Sequence, residues 1–328
     1  MSLKYAVIGT GAIGGYYGGK LANAGQDVHF LFHSDYGYVK ENGLRLDSVN
    51  GDFHLKQVNA YNDTSDMPKC DVVLVGLKST NNHLLKELLP PLLHDTTLVI
   101  LIQNGLGLEE DLQKTFPGLW ITGGLAFICS AKTGEGHISH FDEGRLNIGS
   151  YSCPDNSLIE QICNDLMDAG VETKIQNLEQ ARWMKLVWNI PYNGMTVVMN
   201  TDTDKLMNNT GMENLLHEMM LEVIRGGNHA GKGKYSIPES FADEILDTTR
   251  KMVPYSPSMK LDYDFKRPLE IEYIYTRPIE EAKNNGYDMI RVNMLEKQLK
   301  FIESQYIKNK REISAYFYAY LFLIILMD

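Results

Sequence analysis

"KYAVIGTGAIGGYYGGKLANAGQDVHFLF", Lys4 to Phe32, sets the architecture expected of the whole N-terminal half. It begins with an unbroken apolar run, KYAVIG (4–9), of the kind buried on both faces of a parallel sheet. A Gly- and Ala-rich segment then reads as a helix to about Ala24, and DVHFLF (27–32) reads as a second strand. Between the first strand and the helix, Gly9, Gly11 and Gly14 form G-x-G-x-x-G, with Ala12 and Ile13 inside the motif. Alone, that spacing is common to many glycine-rich loops. Placed after a buried strand and at a helix start, it has a physical purpose. Glycines let the backbone approach a pyrophosphate, whose charge is met by the helix N-terminus. A dinucleotide-binding βαβ unit is the expectation.

Outward from this unit the alternation continues. CDVVLVGL (70–77) and TTLVILI (96–102) are further buried strands, separated by a helical stretch near 81–93. WITGGLAFI (120–128) is another, and GEGHISHFDEGRLNIGS (134–150), which alternates with turns, reads as a hairpin closing the domain. After about residue 178 helical patterns dominate, over 179–199, 211–231, 238–251, 265–285 and 290–308, and strand signals nearly vanish. The expected class is therefore α/β. A Rossmann-type doubly wound parallel sheet domain spans 1–177 and an all-helical C-terminal domain spans 178–328, with the boundary near QNLEQ (176–180).

A chain of 328 residues exceeds one ordinary core, in keeping with two domains. The net charge of −11 argues against a general nucleic-acid or membrane-surface binder, but leaves room for an anionic small substrate. Cys70, Cys129, Cys153 and Cys163 have no CxxC spacing and are too sparse for a disulfide framework, which suits a reduced cytoplasm. MSLKYAVIGTG enters a strand directly, without the features of a signal peptide, so the glycosylation patterns at Asn62 and Asn208 read as chance. The apolar run ISAYFYAYLFLIILM (313–327) would reach only ~22 Å as a helix, short of the ~30 Å hydrocarbon core. A docked terminal helix or an oligomer contact is expected there rather than a membrane anchor.

At the end of the second strand, an acidic side chain would bind the ribose 2′-hydroxyl of NAD, whereas a basic one accepts the 2′-phosphate of NADP. The tip carries His33 and Ser34, with Asp35 just beyond. Ser34 and a partly protonated His33, with Lys40, suit a phosphate, so NADP is expected and NAD is not excluded. A solvent-facing loop histidine is the bland alternative. Lys78 and Asn104 end the next two strands, at the carboxyl edge where such sheets bind ligands. Either residue has an ordinary loop reading too, since Asn-Gly is a common turn pair.

The second half carries RWMKLVWNIPYN (182–193). Lys185, Asn189 and Asn193 recur at i, i+4 and i+8 and share one helix face, with Trp183, Leu186, Val187 and Ile190 on the other side. Such a polar face is poor core material, because each buried polar group needs a partner. A ligand between the domains is one reading; a snorkelling lysine and two capping asparagines is the other. Pro191 should kink the helix and reorient Asn193. Glu270 lies at an apolar-patterned helix start beside Ile271 and Ile274, so Glu272 must face elsewhere. Ser258 and Asp262 suit a cap or a ligand equally. His137 and His140 have no third ligand in view, so no metal is expected. No G-x-S-x-G nucleophile motif appears, and NTDTDKLMNN (200–209) lacks the glycine and terminal glutamate of a calcium loop.

Taken in order, G-x-G-x-x-G, Leu77-Lys78, QNGLG (103–107), Lys-x3-Asn-x3-Asn and PSM…RPLEIEY resemble the ketopantoate reductases, the 2-dehydropantoate 2-reductases of pantothenate biosynthesis. NGLRL (42–46) is also similar, and the resemblance extends from residue 4 to about 306. It implies NADPH and a small 2-oxo acid held in a cleft between two domains, in a cytoplasmic enzyme for which a homodimer is possible. Lys185 matches the lysine that gives a proton to the forming alkoxide, and Glu270 the glutamate that orients it. Asn104, Asn189, Asn193 and Ser258 match contacts to substrate or nicotinamide, and Lys78 a cleft lysine. The chain departs from the family at His33, where an arginine is usual, and at Tyr275-Thr276, where Asn-Gly is usual. GYDMIRV (286–292) lacks the customary Val-Pro or Ile-Pro. A reductase or dehydrogenase for another 2-oxo or 2-hydroxy acid stays open, as does a nicotinamide-sensing protein. A sensor would have no need of Lys185, Asn189 and Glu270.

Overall fold

The computed structural model describes residues 2–252 and 256–325, with side chains to residue 307. Nine strands share one sheet: β1 (Lys4–Ile8), β2 (Asp27–Leu31), β3 (Leu44–Ser48), β4 (Phe53–Leu55), β5 (Asn59–Tyr61), β6 (Val72–Val75), β7 (Leu98–Leu101), β8 (Trp120–Gly134) and β9 (His137–Ser150). Their order is β4-β3-β9-β8-β7-β6-β1-β2-β5. The helices of this part are α1 (Ala12–Asn23), α2 (Tyr36–Asn42), α3 (Leu85–Leu88), α4 (Leu108–Thr115) and α5 (Asn156–Asp168).

The central strands β6 and β7 are buried along their whole length, and β1 nearly so, which accounts for their continuous Val, Ile and Leu. β1 pairs in parallel with β2 on one side and with β6 on the other, so the chain winds outward in both directions from this point. In register, Ile8 faces Leu31 and Val75, and Val75 faces Leu101. The loops that follow these four strands therefore leave the sheet at one edge. That edge is where doubly wound sheets bind ligands.

Segment 134–150 is not a hairpin by itself. It is the single strand β9, antiparallel to a β8 that runs on to Gly134, and the pair turns at Glu135-Gly136. Three register shifts between Phe127 and Gly134 kink the far end of β8, as bulges do. β9 also pairs in parallel with β3, and β3 with β4 in antiparallel fashion. The stretch near 81–93 is not one helix either. A 3₁₀ turn at Ser79–Leu84 precedes α3, and a second at Pro90–Leu92 follows it. Pro90 and Pro91 lack the amides a longer helix would need.

The chain divides into two compact units, Met1–Arg182 and Trp183–Asp328. The division falls inside α6 (Leu178–Val198), which is continuous across Pro191. The second unit is helical, with α7 (Thr203–Met207), α8 (Thr210–Gly231), α9 (Ser240–Lys251), α10 (Ser258–Asp264), α11 (Arg277–Asn284) and α12 (Ile290–Ile325). The single helix expected over 265–285 is broken. The chain is non-helical from Phe265 to Glu270, then makes a π-helical turn at Glu272–Thr276 before α11. Pro268 explains the break, since it removes a donor and disfavours helical geometry in the residue before it. Among the described residues, Trp183, Tyr192 and Tyr275 are the largest fully buried side chains of this unit. The apolar run 313–327 has its side chains outside the described residues. Among the described residues no helix is long and apolar enough to cross a membrane.

Candidate active site

The first unit presents a glycine loop at the carboxyl edge of the sheet. Gly9 has φ +85, and a Cβ there would lie 2.5 Å from the Leu77 amide nitrogen. A Cβ at Gly14 would lie 2.4 Å from the Gly9 carbonyl oxygen. Both positions are therefore closed to a side chain by the protein itself. Gly11 is different: a Cβ there meets nothing within 4 Å. Its amide donates to the Gly9 carbonyl, and no side chain caps the α1 N-terminus that it begins. The first-turn amides of Ala12 and Ile13 thus have no side-chain cap, and an uncapped helix N-terminus is suited to an anion.

At the end of β2, His33 and Ser34 are exposed, and neither side chain has a hydrogen bond among the described residues. Asp35 is only 3% exposed. Its Oδ2 sits 2.7 Å from the Lys132 ammonium and accepts from the Gly136 amide at 3.1 Å. Lys40 stands one turn along α2 from Tyr36 and donates to its hydroxyl at 3.1 Å. Thr10 ties the glycine loop to β2 by donating to the Leu31 carbonyl at 2.8 Å.

Lys78 is exposed directly beyond β6, at the head of the 3₁₀ turn, and Asn104 is half-buried beyond β7, in a turn where Gly105 and Gly107 take positive φ. The neighbouring Gln103 was not singled out by the sequence. It is buried, and its Nε2 donates to the Leu77 carbonyl at 2.8 Å and to Asn82 Oδ1 at 2.6 Å, while its Oε1 is buried without a partner. Arg182 was also missed. It is 2% exposed, forms a buried ion pair with Glu109 and donates to the carbonyls of Gln103 and Leu101. The guanidinium thereby ties the N-terminal half of α6 to the loop that carries Asn104. One signal was available: an arginine at the start of an otherwise apolar helix needs a carboxylate when it is buried.

In the second unit, Lys185, Asn189 and Asn193 lie on one continuous helix. Lys185 is half-buried, Asn189 is 7% exposed and Asn193 2%. Asn189 Nδ2 and Asn193 Oδ1 are buried and have no hydrogen-bond partner among the described residues. Protein interiors rarely leave such atoms unpaired, because each costs about 1–3 kcal/mol. Glu270 is buried in the non-helical residues before the π turn. Tyr275, within that turn, donates its hydroxyl to the Ile190 carbonyl at 2.9 Å, pinning the segment after Glu270 to α6 between Asn189 and Asn193 in the sequence. π turns recur at functional sites.

The remaining candidates separate cleanly. Ser258 is half-buried at the start of α10, and its hydroxyl has no hydrogen bond among the described residues. Asp262 is buried and paired with Arg267 at 2.9 Å, a structural role. Glu272 is exposed and pairs with Arg277 at 3.0 Å. His137 pairs with Asp47 at 2.8 Å, and the buried His140 binds Ser48 Oγ at 2.8 Å. Burial holds the His140 imidazole below its ordinary pKa, so it is neutral at pH 7. No group of three or more potential metal ligands occurs among the described residues.

A nicotinamide dinucleotide fits what is present. The open space at Gly11, the uncapped α1 N-terminus and the orphaned Gln103 Oε1 all lie in loops at the ligand edge of the first unit. Residues 5–152 match the family model for ketopantoate reductase PanE/ApbA, and residues 177–303 match the model for its C-terminal part. The chain is 48% identical over 308 residues to a 2-dehydropantoate 2-reductase of Nostoc sp., covering 92% of this chain and 96% of that one. Among solved structures, it is 38% identical to the 2-dehydropantoate 2-reductase of Geobacter metallireducens, with a TM-score of 0.88 and coverage of 91% and 99%. The enzyme of the same name from Methylococcus capsulatus is 28% identical, with a TM-score of 0.85 and coverage of 92% and 97%.

Proposed function

The chain belongs to the ketopantoate reductase family, and on that premise we propose that it reduces 2-dehydropantoate to pantoate with NADPH. In this reading residues 1–177 form the NADP-binding domain and residues 178–328 the helical substrate and catalytic domain of a cytoplasmic enzyme. The observation that carries it is the pair of unpartnered buried atoms, Asn189 Nδ2 and Asn193 Oδ1, on the helix face of Lys185. One donor and one acceptor, a turn apart along α6 and one and two turns from Lys185, match the polar groups of a small oxo acid.

When bound, the nicotinamide supplies the hydride that reduces the keto carbon. The chain's own residues bind, orient and move a proton. The amides of Ala12 and Ile13 meet the pyrophosphate, Gly11 leaves room for it, and His33 and Ser34 meet the 2′-phosphate. Lys78, Gln103 and Asn104 serve the nicotinamide end. Lys185, cationic at neutral pH, attracts the substrate carboxylate and delivers a proton to the keto oxygen as charge develops there. Such a positioned acid contributes typically ~10²–10⁴-fold. Asn189, Asn193 and Ser258 fix the substrate by hydrogen bonds, and Glu270 orients Lys185.

The test is the loss of NADPH absorbance on adding ketopantoate, with NADH run in parallel. Rapid oxidation of NADPH is expected. Oxidation of NADH alone keeps the reductase and overturns the cofactor. Turnover of another 2-oxo acid in place of ketopantoate overturns the substrate, and cofactor binding with no turnover on any oxo acid turns the reading to a sensor.

A further inference from the structure

The turn after β2 poses a problem for NADPH. It carries a carboxylate, Asp35, next to the two residues assigned to the 2′-phosphate. An acidic group at that place is the feature that favours NAD, because it accepts from the ribose 2′-hydroxyl and repels a phosphate. In this chain the carboxylate is engaged from a distant part of the sheet. The far end of β8, bent by its bulges, brings Lys132 within 2.7 Å of Asp35 Oδ2, and the Gly136 amide reaches the same oxygen at 3.1 Å. Gly136 makes this approach feasible. Its φ is +56, and a Cβ there would lie 2.8 Å from Val39 on α2 and 2.9 Å from the Gly43 carbonyl. The β8–β9 turn thus sits directly against α2 and covers Asp35, while His33 and Ser34 remain exposed.

We propose that Lys132 is a specificity-determining residue, which neutralises Asp35 and so converts an NAD-type strand tip into one that accepts the 2′-phosphate of NADP. This rests on the NADPH reading above. The energetics have a clear direction. A carboxylate 3% exposed cannot be screened by water, so without Lys132 its field falls on the adjacent tip. A 2′-phosphate feels that field far more than a 2′-hydroxyl does.

The probes are 2′,5′-ADP and 5′-AMP, which differ in the 2′-phosphate and lack the reacting ring, with binding read by calorimetry. In the wild type, tighter binding of 2′,5′-ADP is expected, and equal binding overturns the NADPH reading itself. The proposal is read from the change in that ratio. Lys132→Met should lower the preference for 2′,5′-ADP about tenfold, leaving 5′-AMP affinity within about twofold. Lys132→Arg should keep the preference, and Asp35→Asn with Lys132→Met together should restore it. A single variant that weakens both ligands equally makes the ion pair merely structural and overturns the proposal. A double variant that stays weak for 2′,5′-ADP overturns it too, because Lys132 would then be touching the phosphate directly.

Discussion

At the edge of the sheet, Gly9 and Gly14 are glycine because protein atoms stand where a side chain would go. On α6, by contrast, Asn189 Nδ2 and Asn193 Oδ1 are buried with no hydrogen-bond partner among the described residues. The two regions depart from ordinary packing in opposite ways. The loop omits side chains where the backbone itself packs closely. The helix leaves two buried hydrogen-bonding atoms unmatched among the described residues, at a cost to stability. Gly11 belongs with the asparagines in this respect, since nothing in the protein requires it to lack a Cβ.

The contrast yields a ranked set of expectations. The largest concerns Lys185→Ala, which should cut turnover by ~10²–10⁴-fold while cofactor affinity stays unchanged by fluorescence titration. A near wild-type rate would remove Lys185 from its role. Next is Arg182→Met, which leaves Glu109 buried and unpaired and should cost about 3–5 kcal/mol in urea unfolding. Lys185→Ala should show no such loss, which separates the structural cation of α6 from the chemical one.

A third comparison sets Gly9→Ala against Gly11→Ala. The first should destabilise by about 1–3 kcal/mol, through positive φ and the contact with Leu77. The second should leave the melting temperature unchanged and weaken cofactor binding about tenfold. Equal melting temperatures for the two variants would break the distinction drawn here.

Glu296 supplies the counter-example to the asparagines, a buried polar group that is fully partnered. Burial pushes its carboxyl up, but hydrogen bonds from Lys297, Lys300 and Thr276 outweigh that and hold it down to about 2. A carboxyl depressed in the folded state binds fewer protons than the unfolded chain, whose value lies near ~4.3. Its stabilisation is therefore complete above about pH 4.3 and is lost as pH falls from there toward 2, on the order of 1 kcal/mol after solvent screening. Glu296→Gln should flatten acid unfolding in that window; an unchanged acid limb contradicts the assignment. Smallest is Asn193→Leu, which should raise stability by up to about 1 kcal/mol while raising KM for the oxo acid. Lower stability with unchanged KM would mean that Asn193 serves the fold alone.

Features built from neighbouring residues were legible in the chain. The strand–glycine–helix of residues 4–23 and the i, i+4, i+8 face of α6 are local periodicities, and they appear where they were expected. What escaped was set by partners remote in sequence. β3, β4 and β5 are three to five residues long and depend on pairing with β9 and β2, so their own pattern is weak. Asp262 suits a cap or a ligand by sequence, and only the fold sets Arg267 against it; the hold of Arg182 on the Gln103 carbonyl is likewise a contact of the folded chain. The π turn at Tyr275 owes its position to a hydroxyl bonded to another helix.

A dinucleotide-type sheet and a helix with a lysine and two carboxamides on one face are written in the chain, because both follow from steric rules that act over a few residues. Which charges remain active at the ligand edge is settled by folding. Asp35 and Lys132 meet through the bulged pairing of β8 with β9 and the close seat of Gly136 on α2. A carboxylate's effect on its surroundings depends on what lies within a few ångströms, and that distance is a property of the folded chain alone.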